Sequence, residues 1–341
     1  MVNAMSVTST SSCEATLPAE GAEYTVGSMF AGIGGICIAF KNAGADVIWA
    51  NELDKFACMT YRKNLGSDYL VEGDIKDLDV NTVPNVDILT AGFPCQAFSI
   101  AGYKKGFRDE RGALFFEILR IMDEKHPRVV FLENVKNLVG HDNGQTFENI
   151  LRCLKDRGYF AYHQVLNTME YGDIPQNRER TYIVAFKDKR DAEKFSFPEA
   201  VPLTKSIRDI IDASSQKDEL FYYKKDWLHY GELKKIMKNE NTVYQWRRTY
   251  VRENKSDVCP TLTANMGTGG HNVPLIIDDF GYRKLTPSEC LKFQGFPSDF
   301  RFPDISNGNM YKQAGNSVSV PVVQRIAENI LDVMKKTDSG M

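Results

Sequence analysis

The chain has 341 residues, 43% hydrophobic and 26% charged, which are ordinary proportions for a folded globular protein and long enough for a large core plus a second lobe. No window approaches the roughly 18 uncharged apolar residues that span a bilayer, and the polar, small-residue start lacks the basic head and apolar stretch of a secretory signal, so a cytoplasmic location is expected. The net charge of −3 excludes a uniformly basic coat, yet Phe221 to Lys255 carries nine Lys/Arg against four Asp/Glu, a local excess suited to phosphates.

In chain order, Tyr24 to Met29 predicts a strand. Gly32 to Gly35 then turns into a helix whose apolar positions Ile33, Ile36, Cys37 and Phe40 fall at helical spacing and which stops near Gly44. Further strands are expected at Asp46 to Asn51, Val86 to Ala91, Arg128 to Leu132, Ala161 to Leu166 and Arg180 to Phe186. Between them, Leu114, Ile118 and Met122 stripe one helix, and Phe147, Ile150, Leu151 and Leu154 stripe another that ends at Gly158. This alternation is the mark of an α/β fold, a parallel sheet flanked by helices. After Phe197 and Pro198 it stops, and a Lys- and aromatic-rich stretch without clear period runs to about Pro274, read as a smaller, irregular second domain. Pro321 to Met334 is an amphipathic helix with Val322, Ile326 and Ile330 on one face, expected to pack back on the first domain.

Phe30-Ala31-Gly32-Ile33-Gly34-Gly35 joins strand to helix, where glycines let a ligand approach the backbone and the helix end offers free N–H groups. Glu52, twenty residues after Gly32 at the end of the next strand, can accept both hydroxyls of a ribose, and Asp74 can take an adenine amino group. A nicotinamide dehydrogenase would show a similar strand, turn and acid, although the G-x-G-G spacing disfavours a pyrophosphate cofactor.

Seven cysteines show no C-x-x-C pairing, so neither a disulfide framework nor a zinc site is indicated and each thiol is judged by its surroundings. Cys95 is the notable one. Gly92-Phe93-Pro94-Cys95-Gln96-Ala97-Phe98-Ser99 follows a predicted strand and opens a loop of about twenty residues, a length that inside a compact domain usually marks a functional lid. Lys104, Lys105, Arg108 and Arg111 in that loop can meet a phosphate backbone. The next strand ends in Leu132-Glu133-Asn134-Val135, which sets a carboxyl at the same sheet edge as the thiol, an acid and nucleophile pair. Gln176-Asn177-Arg178-Glu179-Arg180 places two guanidiniums at the mouth of the last strand.

With these blocks in place, the chain resembles the DNA (cytosine-5) methyltransferases of bacterial restriction-modification systems. The resemblance runs from Val26 to Val333 apart from the middle region. It rests on the glycine turn, Gly92 to Gln96, Glu133-Asn134-Val135, Gln176 to Arg180, Arg283-Lys284-Leu285-Thr286-Pro287 with Gln294-Gly295-Phe296-Pro297, and Gly315-Asn316-Ser317-Val318, all in family order. It implies a Rossmann-like S-adenosylmethionine-dependent catalytic domain over residues 25–190, completed by 311–341, after an N-terminal extension at 1–24. A target-recognition domain and hinge would occupy 191–310.

It also implies chemistry. Cys95 would add to C6 of a cytosine flipped out of duplex DNA, Glu133 would donate to N3, Arg180 would contact the base carbonyl, and Arg178 would help hold the loop and the thiolate. S-adenosylmethionine would lie against Phe30, Gly32, Ile33, Gly34, Gly35, Glu52, Asp74, Ile75, Pro94, Asn316 and Ser317. Leu53 stands where many relatives have an aromatic against the adenine. No metal is needed. Double-stranded DNA is the implied partner, contacted by Gln96, Ser99, Lys104, Lys105, Arg108 and Thr261, with Gln245-Trp246-Arg247-Arg248 and Arg252 as candidate base readers, since arginine pairs well with guanine edges.

A separately acting cognate restriction endonuclease is a possible partner, and a monomer is the default expectation. The alternative activity is cytosine-5 methylation of tRNA on the same fold, but that branch carries a Cys-Phe-Thr tripeptide absent here. A binding-only protein is disfavoured because every expected reactive residue is present.

Overall fold

The computed structural model describes residues 23–93, 113–254, 256–268 and 271–340. Eight strands come first: β1 (Thr25–Met29), β2 (Asp46–Glu52), β3 (Leu70–Glu72), β4 (Ile88–Gly92), β5 (Val129–Val135), β6 (Phe160–Asn167), the two-residue β7 (Gln176–Asn177) and β8 (Glu179–Phe186). All but β7 form one seven-stranded sheet in the order β3-β2-β1-β4-β5-β8-β6. The first five are mutually parallel, while β8 runs antiparallel to both β5 and β6. Central strands are buried on both faces, which is why Ile88 to Ala91 and Val129 to Leu132 read as unbroken buried runs. Helices cover both faces, with Gly35–Asn42 and Val320–Asp338 on one side and Ala113–Lys125 and Gln145–Asp156 on the other. This is the α/β, Rossmann-like arrangement expected for the large domain.

The C-terminal helix packs against Gly35–Asn42, with Ile326, Ile330 and Met334 fully buried. Its end is fixed by charge: Arg128 pairs with the buried carboxylate of Asp191 at 2.7 Å and with Asp338 at 2.8 Å. The helix Lys55–Leu65, not predicted from periodicity, starts where the Asp54 side chain accepts from the N–H groups of Phe56 and Ala57.

The region without clear period contains a second sheet. Strands β9 (Tyr244–Arg247), β10 (Tyr250–Glu253), β12 (His271–Asp278) and β13 (Gly281–Lys284) pair antiparallel in the order β10-β9-β12-β13, while the short β11 (Cys259–Pro260) pairs parallel with β7. Tyr244, Trp246, Val251, Val273 and Leu275 make its own small core with Leu233 and Met237. Three of its strands have four residues each and carry Arg or Lys, too short to announce themselves by alternation, and the longer β12 begins only at His271.

The following helices, Pro287–Lys292 and Asn307–Asn316, return to the main core, where Cys290, Phe293, Phe296 and Tyr311 join the apolar cluster around β1. No described helix is long and apolar enough to cross a membrane.

Candidate active site

The carboxyl ends of β1, β2, β4 and β5 converge on a cavity of about 350 Å³, a size that suits a small cofactor. Its floor is the turn after β1. Phe30 and Gly32 adopt left-handed conformations, φ 54° and 58°, and a Cβ on Gly32 would meet nothing within 4 Å, so that backbone faces open space. The neighbouring glycines serve packing. A Cβ on Gly34 would lie 2.1 Å from Leu65 Cδ1, and one on Gly35 would lie 2.9 Å from the Ser317 hydroxyl.

Glu52 at the end of β2 shapes this turn. One carboxylate oxygen accepts from Gly32 N at 2.7 Å and the other from Leu53 N and Asp54 N at 2.9 and 2.7 Å. Three of the carboxylate's roughly four acceptor sites are thereby used, and Oε2 keeps one for a ligand.

Of the sequence-derived cofactor residues, Phe30, Gly32, Ile33, Gly35, Glu52, Asn316 and Ser317 line this cavity. Gly34, Leu53, Asp74 and Ile75 are not among its lining residues. Leu53 is 64% exposed, Asp74 caps a short helical turn by accepting from Lys76 N, and Ile75 is buried in the second apolar cluster. Pro94, Cys95, Gln96, Ser99, Lys104, Lys105 and Arg108 lie outside the described residues.

The chain before that stretch is described as far as Phe93. In the sheet register Gly92 sits opposite Glu133, and the Phe93 carbonyl accepts from the buried side-chain amide of Asn134 at 2.7 Å. Asn134, present in the sequence block but given no role there, thus fixes the direction in which the chain leaves β4.

Glu133 lines the same cavity, with its side chain 12% exposed. Burial pushes its carboxyl above the usual carboxylate range, and the guanidiniums of Arg180 and Arg178 oppose that shift only partly. Arg180 Nε stands 3.2 Å from Glu133 Oε1, placed by the β5–β8 pairing of Glu133 with Tyr182 and Val135 with Arg180. Arg178 is engaged differently. Its fully buried guanidinium donates to the carbonyls of Leu262 at 2.9 Å, Gly315 at 3.2 Å and Ser317.

A second, polar cavity of about 290 Å³ lies between β7 and the small sheet, lined in part by Gln245, Arg247, Arg252, Thr261 and Asn272. Arg247 is braced there by Asn272 Oδ1 at 2.7 Å and Gln245 Oε1 at 3.4 Å. Thr261 donates to the Asn177 carbonyl at 2.7 Å, which holds its backbone at the cavity rim. Two of the candidate base readers fall elsewhere. Trp246 is 4% exposed and packs on Trp227 with ring centres 5.1 Å apart, so it is core, and Arg248 is exposed in the tight β9–β10 turn with φ 61°.

The wall of the first cavity also includes residues not singled out from the sequence: Asp54, Lys312 and Gln313. Lys312 pairs with Asp54 at 2.7 Å, and Gln313 accepts from Thr60 at 2.7 Å. The run Lys312-Gln313 stands one residue before the Gly315-Asn316 block, a nearness in sequence that could have flagged it. Among the described residues no cluster of His, Cys, Asp and Glu is arranged to hold a metal ion.

Comparison with known proteins agrees with this geometry. The family model for C-5 cytosine-specific DNA methylases matches residues 24–332. The type II methyltransferase M.Bsp6I of Bacillus sp. (strain RFL6) is 54% identical over 312 residues, covering 91% of this chain and 99% of that protein. M.HhaI of Haemophilus parahaemolyticus is 39% identical over 322 residues, covering 89% and 92%.

Among solved structures, S. pombe Dnmt2 methyltransferase superposes with a TM-score of 0.71 at 20% identity, covering 92% of this chain and 99% of that one. The Entamoeba histolytica methyltransferase EhMeth superposes with 0.71 at 19% identity, covering 91% and 98%. At such identities these two speak for the fold alone. The chain belongs to the C-5 cytosine-specific DNA methylases, of the bacterial restriction-modification type.

Proposed function

We propose that the chain methylates C5 of a cytosine swung out of a short specific duplex DNA site, with Cys95 as covalent nucleophile and S-adenosylmethionine in the first cavity. The observation that carries this reading is a buried carboxyl of raised pKa, Glu133, opposite the strand end that leads in three residues to a cysteine, on the wall of a glycine-floored cavity.

The cavity suits the cofactor. Gly32 leaves open space above its backbone, Glu52 Oε2 keeps an acceptor lone pair for a ribose hydroxyl, and Asn316 and Ser317 add polar groups on the facing wall. Bound there, S-adenosylmethionine supplies an electrophilic methyl group on a sulfonium centre.

Protein groups prepare the base. Cytosine C5 is a poor nucleophile, and addition of the Cys95 thiolate to C6 converts the ring to an enamine whose C5 carries the electron density. Glu133, whose carboxyl burial pushes above the usual carboxylate range, donates to N3 and removes the charge that addition would otherwise leave there. Arg180 orients that carboxyl and reaches the base carbonyl. After methylation, loss of the C5 proton and expulsion of the Cys95 thiolate restore the aromatic ring.

Because these atoms are unreachable in a stacked duplex, the base must be extruded, at a cost of a few kcal/mol offset by phosphate and pocket contacts. Lys104, Lys105 and Arg108, with Gln96 and Ser99, would make those contacts from the loop. The second cavity, with Arg247, Arg252 and Thr261 on its wall, is the candidate surface for reading the site. On this reading residues 25–190 and 311–341 do the chemistry and 191–310 choose the target. A separately acting endonuclease of the same specificity, a monomeric state and a cytoplasmic location complete the proposal.

The test is methyl transfer from labelled cofactor, followed by mapping of methylated cytosines in DNA from cells expressing the chain. The expected result is 5-methylcytosine at one short site, with transfer abolished in Cys95→Ser while S-adenosylhomocysteine still binds. Label found only in tRNA, or full activity of Cys95→Ser, would overturn it.

A further inference from the structure

The two cavities share one buried joint. Arg178 is spent on backbone carbonyls: Leu262, the neighbour of the cleft-lining Thr261, and Gly315 and Ser317, which flank Asn316 on the wall of the first cavity. Around it, Gln176 donates to the Phe293 carbonyl and accepts from Leu262 N at 3.3 Å, and Gln294 donates to the Ala314 carbonyl at 3.0 Å. All three side chains are buried. The backbones they join lie in direct contact, since a Cβ on Gly315 would fall 2.2 Å from the Thr263 carbonyl carbon. A shift of the Thr261-Leu262 segment therefore cannot leave Gly315 to Ser317 where they are without leaving buried donors and acceptors unpaired.

We infer that Arg178 is a positioning residue that couples the two cavities energetically, so that a ligand in one raises affinity in the other. The inference rests on the reading of the first cavity as the cofactor site and the second as the DNA cleft. A planar guanidinium reaches three carbonyls at once, whereas a lysine ammonium keeps the charge but not the fork. Coupling between two sites is reciprocal, so each ligand must change the affinity of the other by one and the same factor.

The experiment measures duplex binding, with the site found by methylation mapping, in the presence and absence of S-adenosylhomocysteine. The reverse titration is run beside it. The wild-type chain should bind the duplex roughly five- to a hundredfold tighter with the nucleoside bound, with the same factor in reverse. In Arg178→Lys that factor should fall towards one whatever the variant's affinity for each ligand alone, an effect that mere loss of stability would not produce. Gln294→Met, which removes the bond to the Ala314 carbonyl in the same joint, should lower it in part and decides the matter if Arg178→Lys does not fold. Absence of coupling in the wild type, or an unchanged factor in the folded variants, would overturn the inference. Failure of the wild type to bind either ligand would instead overturn the proposed function.

Discussion

A carboxyl group taken out of water beside two guanidiniums feels opposing pulls, and at Glu133 burial prevails and raises its pKa. The sign of the pH dependence follows. The proton-donating form persists above the ordinary carboxylate range, and activity declines as pH rises through the raised value. The group's contribution to stability behaves alike, being present below the unfolded-state pKa and lost as pH climbs through the folded one. Glu133→Gln should lower kcat by about 10²–10⁴ and remove that alkaline decline from the pH profile of kcat/KM, because an amide donates a hydrogen bond but transfers no proton. An unaltered profile would show that another group titrates. The sequence pointed to this pair because a Glu at the end of one parallel strand must neighbour the loop leaving the next. It could not show that Arg178, on the wall of the same cavity, spends its guanidinium on Leu262, Gly315 and Ser317, since those carbonyls come from distant segments.

Between elements, the small sheet is tied to the core through Arg283. This fully buried side chain on β13 meets Asp278 of β12 at 2.5 Å and, in a fork, Glu289 of the helix Pro287–Lys292 at 2.7 and 2.8 Å. Glu289 also accepts from Thr286 N, closing a capping box with the Thr286 hydroxyl. The T-x-x-E spacing could be read from the chain as a helix start, but its second task, neutralising a buried arginine, required the fold. Hydrogen bonds to a buried charge are worth more than neutral ones, so weakening this fork costs stability even with Asp278 in place. Glu289→Gln keeps Asp278 to balance the arginine but weakens the charge-assisted fork, and is expected to lower unfolding free energy by about 1.5–3 kcal/mol in urea titrations. A change below about 0.5 kcal/mol, the usual range for surface substitutions, would contradict the ion-pair account.

At the scale of the whole molecule, the large sheet was legible because doubly buried strands and striped helices have distinct periods, and the order of motifs placed the glycine turn, thiol loop and acid at one edge. The small sheet was not, because three of its four strands are short and its apolar positions, Tyr244, Trp246, Val273 and Leu275, are shared between segments far apart in sequence. Both cavities open beside the joint that Arg178 closes, so site choice and chemistry meet there. The claim on which this arrangement turns is covalent attack by one sulfur. The most direct measurement incubates the protein and S-adenosylmethionine with a target duplex carrying 5-fluorocytosine, whose fluorine cannot depart as the proton does, and maps any protein–DNA adduct by mass spectrometry. A stable adduct on Cys95 is the predicted result. An enzyme that methylates ordinary DNA yet forms no adduct, or forms it through another residue, would contradict the mechanism.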